Sequence, residues 1–126
     1  MTSNDNIVIV AAKRTAIGNL GGALGGLSAV ELGKAVILAA LQESGVGASE
    51  IDDIIMGQAL TAGAGQNPAR QSAIASGIPQ DKTALTINQV CGSGLRSIAL
   101  GAQSILLGDA QIVIAGGQES MTQSPH

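Results

Sequence analysis

Cys91 is the residue with the most chemistry to offer, and it is the only cysteine in the 126-residue chain. It lies between a strand-like run, Ala84-Leu85-Thr86-Ile87-Asn88, and a glycine-broken helix start, Cys91-Gly92-Ser93-Gly94-Leu95-Arg96. A thiol at such a junction sits where unpaired backbone N–H groups and the positive end of a helix dipole converge. Both favour thiolate over thiol, and the thiolate is the nucleophile. Glycines at 92 and 94 let another backbone or a substrate approach closely. A lone cysteine also commonly serves as a small buried apolar residue. The residues around Cys91 leave both readings open.

Other groups compete for a chemical role. His126 is the only imidazole and the last residue, so a Cys91–His126 dyad is conceivable chemistry, but a terminal histidine is ordinarily frayed and solvated. One Cys and one His make no metal-ligand cluster and no internal disulfide. Asp52-Asp53 pairs two carboxylates where a strand begins, a setting that favours a turn over acid/base catalysis. Arg14, Arg70 and Arg96 are candidates to meet anionic phosphates, and equally surface or interface residues; no role is assigned to them. Gly92-Ser93-Gly94-Leu95-Arg96-Ser97 starts like a dinucleotide fingerprint. It ends in Ser and has no acidic residue at the ribose-binding distance, which argues against a nicotinamide site. The glycines from Gly18 to Gly26 lack the Gly-Lys-Ser/Thr ending of a phosphate loop and read as a flexible connection.

Alternating strand and helix signals surround these residues. Ile7-Val8-Ile9-Val10-Ala11-Ala12 is a continuous apolar run, as in a strand buried on both faces. Ser28-Ala29-Val30-Glu31 has capping-box spacing, apolar residues recur to Leu41, and Gly45 fits a C-cap. A second strand is expected at Asp53-Ile54-Ile55-Met56-Gly57. Asn67-Pro68 offers an N-cap with proline at the first helical position, and Gly77 and Pro79 end that helix. The third strand spans Ala84 to Asn88. The helix after Cys91 carries Leu95, Ile98, Ala99, Ala102, Ile105 and Leu106, a 3,4-spaced stripe expected in the core, and stops at Gly108. Ala110 to Ala115 is a fourth strand, closed by Gly116-Gly117.

This βαβαβαβ order predicts an α/β fold with a mostly parallel sheet covered by helices. Functional groups in such sheets gather beyond the carboxyl ends of the strands, and Cys91 lies just past the third. A chain of this length reads as one domain. Its 45% apolar and 12% charged content is rich in core and poor in charge, as in a piece meant to be covered by more protein. With no Phe, Tyr or Trp it has no stacking platform for single strands, and a net charge of −3 argues further against nucleic acid. The polar start Met1-Thr2-Ser3-Asn4-Asp5-Asn6 lacks a basic-then-apolar leader, and no run is expected to cross a bilayer, so the chain reads as cytoplasmic with no membrane partner.

Asn88-Gln89-Val90-Cys91-Gly92-Ser93-Gly94-Leu95-Arg96 resembles the nucleophile segment of the thiolases. Three further segments agree in order: Ala12 to Gly18; Met56 to Gly63 with Gly65 to Gln71; and Gly108-Asp109-Ala110 with Ala115 to Met121. Several long matches in sequence order are far more specific than one short motif. Nearly the whole chain is covered, and the character is that of the biosynthetic acetyl-CoA acetyltransferase type. Related condensing enzymes, the ketoacyl synthases, share the architecture, but these flanking segments are thiolase-like.

The resemblance implies a thiolase-like fold in which residues 1–117 form an N-terminal half-domain and 118–126 begin the connection to an inserted loop domain that binds CoA. It implies Cys91 as the acyl carrier, its own N–H serving one oxyanion hole. It implies coenzyme A thioesters as substrates with no further cofactor, and a homo-oligomer. The histidine that activates the nucleophile and the second cysteine that moves protons belong to the family's later half, so the base comes from elsewhere than His126, and a missing C-terminal portion is the implied partner. CoA-binding residues are not assignable from the sequence. The alternative function class is a non-catalytic half-fold remnant or interaction domain. The paired glycines around Ser93 favour catalysis, because a structural cysteine needs neither.

Overall fold

Ser28 opens the first helix with the reciprocal bonds that its spacing predicts. Its Oγ accepts from the Glu31 N–H at 3.2 Å, and the Glu31 carboxylate accepts from the Ser28 N–H at 2.8 Å. This helix, α1, spans Ala29–Ser44 and ends at Gly45, whose φ of 70° is the left-handed C-cap that glycine adopts without strain. The computed structural model describes residues 7–126. Its other elements are β1 (Asp53–Gly57), α2 (Pro68–Ala75), β2 (Thr83–Ile87), α3 (Ser93–Leu107) and β3 (Val113–Gly117), with short 3₁₀ turns at Ala48–Glu50 and Met121–Gln123. As the Asn67-Pro68 pair predicts, Asn67 Oδ1 accepts from the Arg70 N–H at 3.1 Å and Pro68 starts α2.

The strands form one parallel sheet in the order β2-β1-β3, with Asp53 opposite Thr83 and Val113, and Gly57 opposite Ile87 and Gly117. From Ile54 to Gly57 the central strand is fully buried, as a parallel strand covered on both faces must be. Ile54 and Met56 join Ile51, Ala69, Ala73 and Ile78 in the core between β1 and α2, and α1 packs on α2. Ile55 and Gly57 alternate to the opposite face, which α3 covers.

Two expectations are corrected. Ile7 to Ala12 is not a strand: the run pairs with neither open sheet edge among the described residues, and Val8, Ile9 and Val10 are 72%, 76% and 62% exposed. An apolar run becomes a strand only when another strand satisfies its N–H and C=O groups. Here the segment runs beside α1, where Lys13 Nζ meets Glu43 at 2.9 Å. That ion pair and the Ala12 N–H lower the Glu43 pKa. The polar stretch from Met1 to Asn6 lies outside the described residues.

The second correction concerns α3. Most of its apolar stripe faces outward: Leu95 is 77% exposed, Ile98, Ala99 and Leu106 are exposed with it, and Ala102 and Ile105 are half-buried. The buried face is Ser93, Ser97 and Gly101, at i, i+4 and i+8. Small residues let the helix lie close on the sheet: a Cβ on Gly101 would come within 3.1 Å of Val113 Cγ1, and Ser97 Oγ donates to Gly116 O at 2.7 Å. Periodicity located the helix, but the tight face won the sheet. The stretch Val90–Leu107 is also apolar enough by composition to pass for a membrane span. The 15-residue helix itself is about 22 Å long, short of a ~30 Å hydrocarbon core, and one face of it is spent on the sheet.

Asp52 shows what the paired carboxylates do. Its Oδ2 accepts from the N–H groups of Gln111 and Ile112 at 2.8 and 3.1 Å, tying the approach to β3 to the start of β1. Asp53 Oδ1 accepts from its neighbour Ile54 N–H and from Thr83 Oγ1. The Gln111 and Ile112 amides, in that order, hold the Asp52 pKa below its usual value. A depressed carboxylate pKa stabilises the fold above the unfolded-chain value and loses that contribution as pH falls through the depressed one. Protection of the Gln111 and Ile112 amides, corrected for intrinsic exchange, is therefore expected to fall below about pH 4. In Asp52→Asn it should be lower at neutral pH and lack that acid step. An unchanged step would show that another group controls it.

Candidate functional site at the carboxyl edge of the sheet

β1, β2 and β3 end side by side, and the chain leaving each contributes to one polar cluster. Gln58 follows β1 and Gln118 follows β3; both are buried. Gln118 Oε1 accepts from Ser72 Oγ at 2.6 Å, Gln118 Nε2 donates to Gln58 Oε1 at 3.1 Å, and Gln58 Nε2 donates to Leu60 O at 2.9 Å. Each buried amide is thus satisfied, as buried polar groups must be. Beside them the Glu119 carboxylate accepts from the N–H groups of Ala59 and Leu60 at 2.7 and 3.1 Å. None of these residues announces itself in the sequence. The signal available is position: Gln58, Gln118 and Glu119 are each the first or second residue past a strand end, while Ser72 lies within α2.

The segment 118–126 also closes the glycine-rich loop. Ser120 Oγ donates to Leu27 O, and Thr122 Oγ1 accepts from the Gly21 N–H at 2.9 Å. With Gly22 N–H to Asn19 O and Gly25 N–H to Gly22 O, the loop is a ladder of turns held by that segment, instead of the flexible connection expected.

Cys91 stands past β2, immediately before α3, and is exposed. The buried-apolar reading is thereby excluded for this structure. The turn that carries it is tight: Gly92 N–H donates to Gln89 O at 3.1 Å and Ser93 N–H to Val90 O at 3.2 Å. Among the described residues none accepts from the Cys91 N–H. Val90 has φ 50°, a left-handed conformation that a β-branched residue adopts at a cost of ~1–3 kcal/mol.

Two glycines permit the approach of α3. A Cβ on Gly57 would lie 2.5 Å from Ser93 Cβ and 2.6 Å from Ser93 C, and one on Gly117 would lie 3.3 Å from Gly94 Cα. Gly57→Ala must therefore push the helix start off the sheet, and a cost of about 1–3 kcal/mol or more is expected from overpacking against backbone. Chemical denaturation checks it; a loss under about 0.5 kcal/mol would mean that the contact relaxes freely.

The other candidates separate from the thiol. His126 is exposed, and among the described residues no hydrogen bond joins it to Cys91. Arg70 is structural: its guanidinium donates to the carbonyls of Lys82 and Gln80, bracing the turn between α2 and β2. Among the described residues Arg14 donates to Thr15 O beside it. Arg96 is exposed on the first turn of α3. A shallow cleft of about 330 Å³ lies next to the site, lined by Gln58, Thr61, Asn67, Thr86 and Asn88 among others, and Cys91 does not line it.

A family model, that of the thiolase N-terminal domain, matches residues 7–126. The acetyl-CoA acetyltransferase of Rhizobium meliloti strain 1021 is 56% identical over 124 residues, 98% of this chain and 32% of its own length. The probable acetyl-CoA acetyltransferase of Escherichia coli K12 is 58% identical over 121 residues, 96% of this chain and 31% of its own. Among solved structures, the Acat5 thiolase of Ascaris suum in complex with coenzyme A superposes with a TM-score of 0.91 at 45% identity. That match covers 93% of this chain and 31% of that one. The chain thus spans about a third of the length of the relatives it matches.

Proposed function

Because the chain belongs to the thiolase family, as its N-terminal domain, we propose that it carries the acyl-accepting cysteine of an acetyl-CoA C-acetyltransferase. One observation carries this reading: an exposed thiol, Cys91, held on a braced turn between β2 and the N-terminus of α3, at the carboxyl edge of a parallel sheet. A helix start there offers N–H groups and a positive dipole end to negative charge developing on a carbonyl oxygen.

The Cys91 thiolate attacks the carbonyl carbon of acetyl-CoA. The carbon–sulfur bond to CoA breaks, CoA leaves as a thiolate that takes up a proton, and an acetyl thioester remains on Cys91. A second acetyl-CoA, deprotonated at its methyl carbon, attacks that thioester; acetoacetyl-CoA departs and the Cys91 thiolate returns. Thiolysis is the reverse. Coenzyme A thioesters are the substrates, and no resident cofactor enters the scheme. Both proton transfers need groups beyond Cys91, and we assign them to a C-terminal portion bearing a histidine and a second cysteine.

Covalent transfer has a kinetic signature that ordered binding of two substrates lacks. With the C-terminal portion present, labelled CoA is expected to exchange into acetyl-CoA when condensation cannot proceed. Absence of exchange, with kinetics that require both acetyl-CoA molecules before any CoA is released, would overturn the reading.

A further inference from the structure

We propose that Ser93 and Asn88 are positioning residues for Cys91: they hold the turn before α3 in a left-handed conformation that Val90 would not keep unaided, and so fix the direction of the thiol. The proposal rests on the reading of Cys91 as acyl carrier. Only two non-glycine residues have positive φ among the described residues, Asn67 and Val90. Asparagine tolerates that region; a β-branched residue does not.

The bonds that offset the strain come from side chains on either side of Val90. Ser93 is 4% exposed, and the single hydrogen of its hydroxyl is committed to backbone. It accepts from the Gln89 N–H at 2.7 Å and donates to Val90 O at 2.6 Å. Asn88 Oδ1 accepts from the Val90 N–H at 2.9 Å, while its Nδ2 donates to Ala59 O at 3.0 Å. Ala59 is in turn fixed by the Glu119 carboxylate on its N–H. The turn is thus gripped from the chain leaving all three strands. Ser93 has no room to shift toward β1, because it already abuts Gly57. With its proton held by Val90 O and its oxygen bonded to the Gln89 N–H in a buried position, the Ser93 hydroxyl is taken up by the turn. A turn that merely joined β2 to α3 would relax with glycine at 90. This one is strained and braced.

The test uses the chain assembled with its C-terminal portion. Ser93→Ala is expected to lower kcat for acetyl transfer by about 100-fold, the scale of a misplaced reacting group, with KM for acetyl-CoA nearly unchanged. Glycine adopts the left-handed region freely, so in a Val90→Gly background the brace becomes redundant. There Ser93→Ala should lower kcat by less than about 3-fold, a non-additivity that a stability effect alone does not produce. If Ser93→Ala does not fold, Asn88→Ala, at an exposed position, gives the same comparison with and without Val90→Gly. Wild-type kcat in whichever of the two single variants folds, or an equal loss with and without Val90→Gly, would overturn the proposal. An inactive Cys91→Ser beside such a result would leave the acyl-carrier reading standing. Full activity in Cys91→Ser would remove that reading itself.

Discussion

Replacing Cys91 with serine in the assembled enzyme is expected to lower condensation of acetyl-CoA by roughly 10⁴-fold or more, the scale on which a covalent nucleophile is lost. A serine hydroxyl is far less acidic than a thiol, so a base that suffices to give Cys91 its thiolate leaves serine protonated and weakly nucleophilic near neutral pH. The change leaves the fold alone: the side chain is exposed, and the turn is held by Ser93 and Asn88 through backbone groups of Gln89 and Val90. Thermal stability should stay within about 0.5 kcal/mol of the parent, as for other surface substitutions. The prediction is read by comparing steady-state condensation with melting temperature in the same preparations. Loss of both would indicate a structural cysteine, and retention of activity within about 10-fold would indicate a nucleophile elsewhere.

The 126-residue chain by itself is expected to show no thiolase activity and to aggregate or self-associate. The chemical half of this expectation follows from the inventory: one cysteine and one histidine cannot supply a nucleophile, its activating base and a second acid/base group. His126 makes no bond to Cys91 among the described residues. The physical half follows from α3, whose outer face presents Leu95, Ile98, Leu106 and Leu107 to solvent, with Val8, Ile9 and Val10 exposed elsewhere. Contiguous apolar surface of this kind marks a contact with more protein. Co-expression with a thiolase C-terminal portion should therefore yield soluble, active protein. Light scattering and a condensation assay on the chain alone, then on the co-expressed pair, check both halves. A monomeric chain that condenses acetyl-CoA unaided would contradict them.

Local chemistry was legible wherever a residue type has one physical use. Ser28 with Glu31, Gly45, Asn67-Pro68 and Gly108 fixed helix ends within a residue or two, because capping depends on neighbours in the chain. The β1 strand was read at its observed bounds, whereas the last strand came late, Val113–Gly117 against an expected Ala110–Ala115. Legibility ended where the answer depended on a distant partner. Whether Ile7 to Ala12 pairs, and which side of α3 meets the sheet, are decided across the fold. For α3 a signal was present: Ser93, Ser97 and Gly101 recur every fourth residue, the spacing of a close-packed helix face. Cys91 stands out through the glycines at 92 and 94, but the groups that hold its turn do not stand out in the sequence. In the Gln58–Gln118–Ser72 cluster, Gln118 bonds to a strand-end residue 60 positions away and to a residue of α2 46 positions away, and no local pattern connects them.

Whether the acyl group rests on Cys91 is decided by one measurement. The assembled enzyme is mixed with acetyl-CoA, quenched in acid to preserve thioesters, digested, and its peptides are weighed. An added acetyl group is expected on the peptide containing Cys91, removed by free CoA and absent in Cys91→Ser. An acetyl group carried by any other residue, with the Cys91 peptide unmodified under turnover, would contradict that expectation.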